Sequence, residues 1–546
     1  MASILKVSAV FLLAGLAISN PASAATGFLH TRGQDIVDGS GQKVMLRGVG
    51  LGNWMLPEGY MWKFGEKGDR PRKIEQLVSE LIGEQSAAHF WREFRRNYIT
   101  EADIQRIAAS GFNCVRPALN ARLFLSEAET PAYIDEGFEL LDNLVAWGRK
   151  HQVYVIIDMH GAPGGQTGAN IDDSPNDQPL LFEDKKYEAR LTGLWIKIAT
   201  RYKDEPFVGG YDLLNEPLPA RTGAAEKHKK QLEPLYQFLT AAIRRVDSRH
   251  MITLEGADWA NDWSVFSKPF DSNLLYQFHY YAWDRPDTLK GIGQYLSQRT
   301  RLGAPVWVGE TGEKNNAIYW ATTDYFEANN IGWSFWPWKK MDTLNTPCSI
   351  KLPEGWSEIA QYSRGGSKPS QAVAQKAFDQ LLDNIKLENC RFFPDVVNAI
   401  FRRVPGRVEA ENYGQAGAEK SYHVKSVSQR SKNYRKSEPV LVEMLKDQGW
   451  RSEQAIKLGA DEWTVYDINS VEAAGYAAKA RVKAATASAE FQIGIGADTQ
   501  RVTAGSTEWV ELPLKPLRLA QGANRVTLRV TRGEVLVDWL DFRLPQ

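Results

Sequence analysis

The chain has 546 residues, 43% of them apolar and 24% charged, with a formal net charge of zero. That length exceeds one ordinary domain and asks for two or three. The balanced charge, with no long basic run, leaves no electrostatic footprint for nucleic acid. Beyond the N-terminus no stretch reaches the roughly 18 consecutive apolar residues of a membrane span.

The first 24 residues read as a secretory signal. Lys6 supplies a weak positive start, residues 7–18 are apolar but too short to span a bilayer, and Ala22-Ser23-Ala24 gives a small-residue cleavage pattern. A buried N-terminal helix is the competing reading. Export places the mature chain outside the cell or in the periplasm, as a soluble monomer. The three cysteines, Cys114, Cys348 and Cys390, are too few for a disulfide scaffold and are not spaced as a zinc site. Cys114 lies in an apolar run and reads as a buried thiol. Cys348 and Cys390 are free to pair after export.

Strand-like runs follow at 44–50, 112–117, 153–160, 209–215, 251–254, 275–279, 306–310 and 331–336. Several are continuously apolar rather than alternating, as in strands covered on both faces of a parallel sheet. Amphipathic segments at 101–110, 133–150, 187–202 and 229–246 lie between them. Eight alternations predict a (β/α)8 barrel, an α/β fold, over residues 25–390, with a last helix at 371–385. Residues 391–405 read as a linker. From 406 to 546 the pattern changes to alternating apolar and polar residues punctuated by Gly and Ser, for example at 476–484, 490–496, 509–512, 524–530 and 535–542. This predicts a smaller antiparallel β-sandwich.

The chemistry concentrates at the ends of the barrel strands. Leu213-Leu214-Asn215-Glu216-Pro217 and Val306-Trp307-Val308-Gly309-Glu310 are apolar runs that each end in a glutamate. A carboxylate at the mouth of a buried strand is costly unless it is paired or used. Alone, each glutamate is equally well a loop carboxylate. On the fourth and seventh strands of one barrel they become a candidate acid pair for cleaving a glycosidic bond. Arg116, His160, His279, Tyr281 and Trp336 also fall at strand ends, and donors among them would keep a nucleophilic carboxylate ionised. Asn215 is placed to meet a sugar 2-hydroxyl, and Trp336 to lie beneath a sugar ring. Each of these is individually as well explained by packing. Asp158-Met159-His160 invites a metal, but lacks further ligands at suitable spacing. The 18 tryptophans add indole faces suited to sugars, although most tryptophans simply pack.

The set Arg116-Pro117, His160, Asn215-Glu216-Pro217, His279-Tyr280-Tyr281, Glu310 and Trp336 resembles glycoside hydrolase family 5, the cellulase family of retaining (β/α)8 enzymes. The resemblance covers roughly residues 27–385. It implies Glu216 as general acid/base and Glu310 as nucleophile, with Arg116, His160, Asn215, His279, Tyr281 and Trp336 around the reacting sugar and no cofactor in catalysis. The stretches from Leu46 to Trp54 and from His160 to Gly168 resemble members that cut β-1,3-glucan from the chain end. The sequence departs from them at 169–177, so a β-glucan is the common expectation, β-1,4- or β-1,3-linked. Mannan, xylan, a transglycosylation, or binding without catalysis are the rivals. The runs Arg407-Val408-Glu409-Ala410-Glu411-Asn412-Tyr413 and Val535–Phe542 resemble the ends of a family 6 carbohydrate-binding module. That likeness implies a structural calcium on Glu409, Glu411 and Asp538. Residues 505–508 lack the aromatic that sugar-binding members often carry there, which leaves Tyr434 or another face.

Overall fold

The computed structural model describes residues 27–282, 291–428, 434–446 and 453–545. The expected signal, residues 1–24, lies outside them. Eight strands form a closed barrel: β1 (Arg47–Leu51), β2 (Cys114–Asn120), β3 (Tyr154–Gly161), β4 (Val208–Asp212), β5 (Met251–Glu255), β6 (Leu274–Tyr280), β7 (Val306–Gly312) and β8 (Gly332–Trp336). They run parallel in chain order, and β8 closes on β1. Strands β2 and β3 are buried along their whole length, which is why they read as continuous apolar runs.

The amphipathic segments form the outer helices, among them Glu101–Ser110, Asp135–His151, Lys185–Tyr202 and Ala224–Arg244. Thr100 and Asp103 make a reciprocal capping box at the start of Glu101–Ser110, and Gly111, at φ 103°, ends it in a left-handed turn. The last barrel helix is Gln371–Asn384. No helix among the described residues is long and apolar enough to cross a membrane.

Residues 391–405, expected as a linker, are built into the structure. Arg391–Phe392 pairs with Cys348–Ile350. Pro394 opens the helix Pro394–Ile400, its missing N–H costing nothing at the first helical position. Arg403–Val404 pairs with Trp463–Ser470 of the next domain. All three cysteines are free thiols, so Cys348 and Cys390 are not bonded here. Cys114 is buried as expected, and the Cys390 thiol donates to the carbonyl of Asn384 at 3.4 Å.

The C-terminal domain has two sheets, antiparallel in the main. One contains Trp463–Ser470, Gly522–Arg532, Ala489–Ile495 and Asp498–Ala504. The other contains Leu441–Lys446, Glu453–Gly459, Glu534–Arg543, Ala474–Ala484 and Val510–Leu519. Tyr466, Phe491 and Val526 of the first meet Ile456, Val482 and Leu540 of the second in one apolar core. Trp320, on the barrel helix Asn316–Ala328, belongs to that same core and is 4% exposed. On that helix Glu327 also accepts from Arg47 of β1 and from Arg402 at the entrance to the sandwich, at 2.7 and 2.8 Å.

Candidate active site

The C-terminal ends of the barrel strands surround a cavity of about 590 Å³. Of the residues expected at the site, Glu216, Glu310, His160, His279, Tyr281 and Trp336 line it. Arg116 and Asn215 do not. Both are fully buried beneath it and hold the lining in place.

Glu216 sits just past β4 with φ 42°, and Leu218 follows with φ 53°. Two left-handed residues flanking Pro217 store backbone strain at the corner that projects the carboxyl. Glu310 lies within β7, in register beside His279 of β6, with a bulge at that step. The His279 Nδ1 is 2.7 Å from Glu216 Oε1 and 3.6 Å from Glu310 Oε2. One carboxyl oxygen of each glutamate and a His279 ring nitrogen all lie within 4.8 Å of one another.

Glu310 accepts from Arg116 Nη1 at 2.6 Å and from the Tyr281 hydroxyl at 2.8 Å. Arg116 spreads its remaining donors over Asp212 at 2.8 Å, Glu255 at 2.9 Å and the Asn215 side-chain oxygen at 2.9 Å, and it pairs with Asp158 at 3.2 Å. Asn215 Nδ2 donates to His160 Nε2 at 3.2 Å, and His160 Nδ1 donates to Asp158 at 2.7 Å. This network assigns the neutral tautomer of His160 protonated at Nδ1. Burial agrees, pushing that imidazole down to about 4.

Against Arg116 and His279 stand the carboxyls of Asp158, Asp212, Glu216, Glu255 and Glu310. Burial pushes Asp158 up to about 8 and Asp212 up to about 6. His279 loses by burial, but the charges of Glu310, Glu255 and Glu216 more than restore it, so it favours the imidazolium. Glu216 and Glu310 stand close enough to titrate together. Burial raises both. At Glu216 the charge and hydrogen bond of His279 overcome it and draw the carboxyl down; Glu310 remains above the ordinary glutamate value. One proton therefore occupies the short His279–Glu216 hydrogen bond, while Arg116 and Tyr281 stabilise the charged form of Glu310. The close set Glu216, His279 and Glu310 has metal-ligand spacing, yet its donors fit a cation poorly, because the Arg116 guanidinium already occupies Glu310.

Trp336 is 3% exposed. Its ring stacks on His160 at 5.4 Å, its Nε1 donates to the Tyr60 hydroxyl at 3.1 Å, and Gly50 and Gly52 also face it, where any Cβ would fall 2.3 and 2.5 Å from the indole. These glycines, inside the 46–54 motif, make the slot that holds the tryptophan. Glu58, Tyr60, Trp259 and Glu313 also line the cavity and were missed from the sequence, as were Asp212, Glu255 and Gln277 beneath it. The signal for Asp212 and Gln277 was a lone polar residue inside an apolar run, and for Glu255 an acid closing one. Gln166 was missed too. Its side chain donates to the carbonyls of His160 and Asn215, at 2.6 and 3.0 Å, and so ties the β3 and β4 loops together.

In the sandwich, Tyr434 is 4% exposed and donates to Asn412, so it offers no sugar platform. Glu409, Glu411 and Asp538 face a common groove; Arg407 pairs with Glu409 and Arg481 with Asp538, while Glu411 Oε2 is buried without a partner.

The sequence profile of cellulase (glycosyl hydrolase family 5) matches residues 80–342. A β-xylosidase of Phanerodontia chrysosporium is 29% identical, with 57% of this chain and 71% of the relative covered. A probable glucan 1,3-β-glucosidase A of Emericella nidulans is 28% identical, over 54% of this chain and 85% of the relative. A crystal structure of a β-glucanase from Saccharophagus degradans in complex with cellotetraose aligns at 16% identity and a TM-score of 0.41, over 66% of this chain and 94% of that one.

Proposed function

Because its barrel carries a glycosyl hydrolase family 5 domain, the chain is a glycoside hydrolase, and we propose that it is an exported enzyme that cleaves β-glucan with retention of configuration. The observation that carries the mechanism is the spacing of Glu216 and Glu310, whose nearest oxygens lie within 4.8 Å. Retention is associated with carboxyl groups about 5–5.5 Å apart, inversion with about 6.5–9.5 Å. Glu310, charged and oriented by Arg116 and Tyr281, attacks the anomeric carbon. The proton held between His279 and Glu216 passes through Glu216 to the departing oxygen. Glu216 then takes a proton from water, which opens the glycosyl–enzyme ester and frees the sugar with its original configuration.

Two variants test the assignment. Glu310→Gln should abolish turnover with an unchanged melting curve, and surviving glycosidase activity would remove the nucleophile assignment. Glu216→Ala with azide and an activated glycoside should yield a β-glycosyl azide, and an α-azide or none would remove the acid/base assignment. A β-xyloside is the second reading, favoured by the β-xylosidase among the relatives. Rates on matched aryl β-glucoside and β-xyloside, followed by linkage-defined glucan oligomers, decide between them.

We propose a structural calcium between Glu409, Glu411 and Asp538, supported by their common groove and by a buried Glu411 oxygen without a partner; the ion would displace Arg407 from Glu409 and Arg481 from Asp538. Bound there, the ion would stabilise the domain and leave the chemistry of the barrel untouched. A higher melting temperature with calcium, reversed by chelator, is the expected result; superimposable melts would exclude it.

A further inference from the structure

Glu255 ends β5, is fully buried, and does not line the cavity, yet it touches every part of the acid/base apparatus from below. Its Oε2 accepts the backbone N–H of Glu216 at 2.6 Å. Its Oε1 accepts from Arg116 at 2.9 Å and from the Gln277 side chain at 2.6 Å, and lies 3.5 Å from His279 Nε2. Its hydrogen-bond partners are all donors; burial and the nearby Asp212 push the carboxyl up, while the charges of His279 and Arg116 favour the ionised carboxylate. The Glu216 N–H is the one in the left-handed turn, and a charge-assisted bond there holds a conformation that a non-glycine residue adopts only under constraint. On the other side, the Glu255 charge stands at the far nitrogen of the imidazole whose near nitrogen bonds Glu216.

We infer that Glu255 is a positioning residue for proton transfer: it clamps the backbone of Glu216 and, through His279, keeps the transferable proton in the His279–Glu216 hydrogen bond. The inference rests on the acid/base reading of Glu216. In that reading, glycosylation needs an acid only when the leaving oxygen is a poor leaving group. An alkoxide-like sugar oxygen must be protonated as the bond breaks; a dinitrophenolate departs without help.

The test is kcat/KM, which reports glycosylation, measured for Glu255→Gln against pH on a dinitrophenyl β-glycoside and on an oligosaccharide. General acid assistance is worth about 10²–10⁴-fold. The oligosaccharide rate should fall at least about 100-fold, the dinitrophenyl rate by less than about 5-fold, and the alkaline limb of the oligosaccharide profile should move to lower pH. An equal loss on both substrates with an unmoved limb, or no loss at all, would overturn the inference. Should Glu255→Gln melt below the assay temperature, Glu255→Asp carries the test. It keeps the charge but withdraws the carboxyl, so the split between substrates must remain while the limb stays in place. Glu216→Ala is the control. If it lacks the split, the acid/base reading itself falls; if it shows the split and neither Glu255 variant does, only the role of Glu255 falls.

Discussion

Arg116 is the residue on which the site turns. One guanidinium, fully buried, meets Asp158, Asp212, Glu255 and Glu310. Removing it leaves carboxyls without a counter-charge in a medium where that is severe. Arg116→Met should cost about 3–5 kcal/mol, read as a lower urea midpoint, in addition to abolishing turnover. The acid pair also fixes the shape of the pH profile. Glu310 must be charged to attack, and burial holds it above the ordinary 4.5, so the acidic limb of kcat/KM should lie above that value. His279 favours its charged form well above 6.5, so the alkaline limb, where the His279–Glu216 proton is lost, should lie above neutrality. Activity that stays level or climbs as the pH is lowered past 4.5 would contradict the Glu310 role. The two glutamates were legible because each closes an apolar run beside Pro or Gly. Asp212 and Gln277 were not, because a single polar residue inside such a run looks like a tolerated exception, and Glu255, which closes β5 beside Gly256, was passed over until the closed barrel turned the three toward one another.

At the scale of elements, the barrel strands were readable because strands covered on both faces are apolar throughout, and the helices because one stripe of each is. Segment 391–405 was not. A seven-residue helix opened by Pro394 offers too few turns for a periodic pattern, and two-residue strands offer none. In the sandwich, Leu441–Lys446, Glu453–Gly459, Trp463–Ser470 and Asp498–Ala504 escaped because their polar residues interrupt the alternation. Strand β1 carries the most direct test of how elements meet at the site. Gly50→Ala would drive a methyl into the Trp336 ring. Such overpacking costs typically about 1–3 kcal/mol. The tryptophan should shift with it, so KM should rise as well as the melting temperature fall; no change in either would mean that the slot is not needed to seat the indole.

At the scale of the whole molecule, the barrel helix Asn316–Ala328 helps to join the two domains, sending Trp320 into the sandwich core and Glu327 to Arg402. Burial alone would raise the Glu327 carboxyl, but the hydrogen bonds and charges of Arg47 and Arg402 hold it down at about 2. A carboxyl lowered on folding contributes stability that is fully present above its unfolded value, near 4.5, and is lost as pH falls toward 2. Glu327→Gln should therefore melt lower than the parent at pH 7, with the gap closing between pH 4.5 and pH 2. A gap that does not change with pH would show that the pair contributes shape and not charge.

Trp320 has a consequence for anyone rearranging these parts. A sandwich whose interior includes an indole from a neighbouring fold is not a bead on a string. Cut at residue 405, it leaves with a hole, and the barrel keeps a large greasy side chain facing water. A graft of this module onto another catalyst would inherit the vacancy unless the recipient supplied a matching aromatic plug.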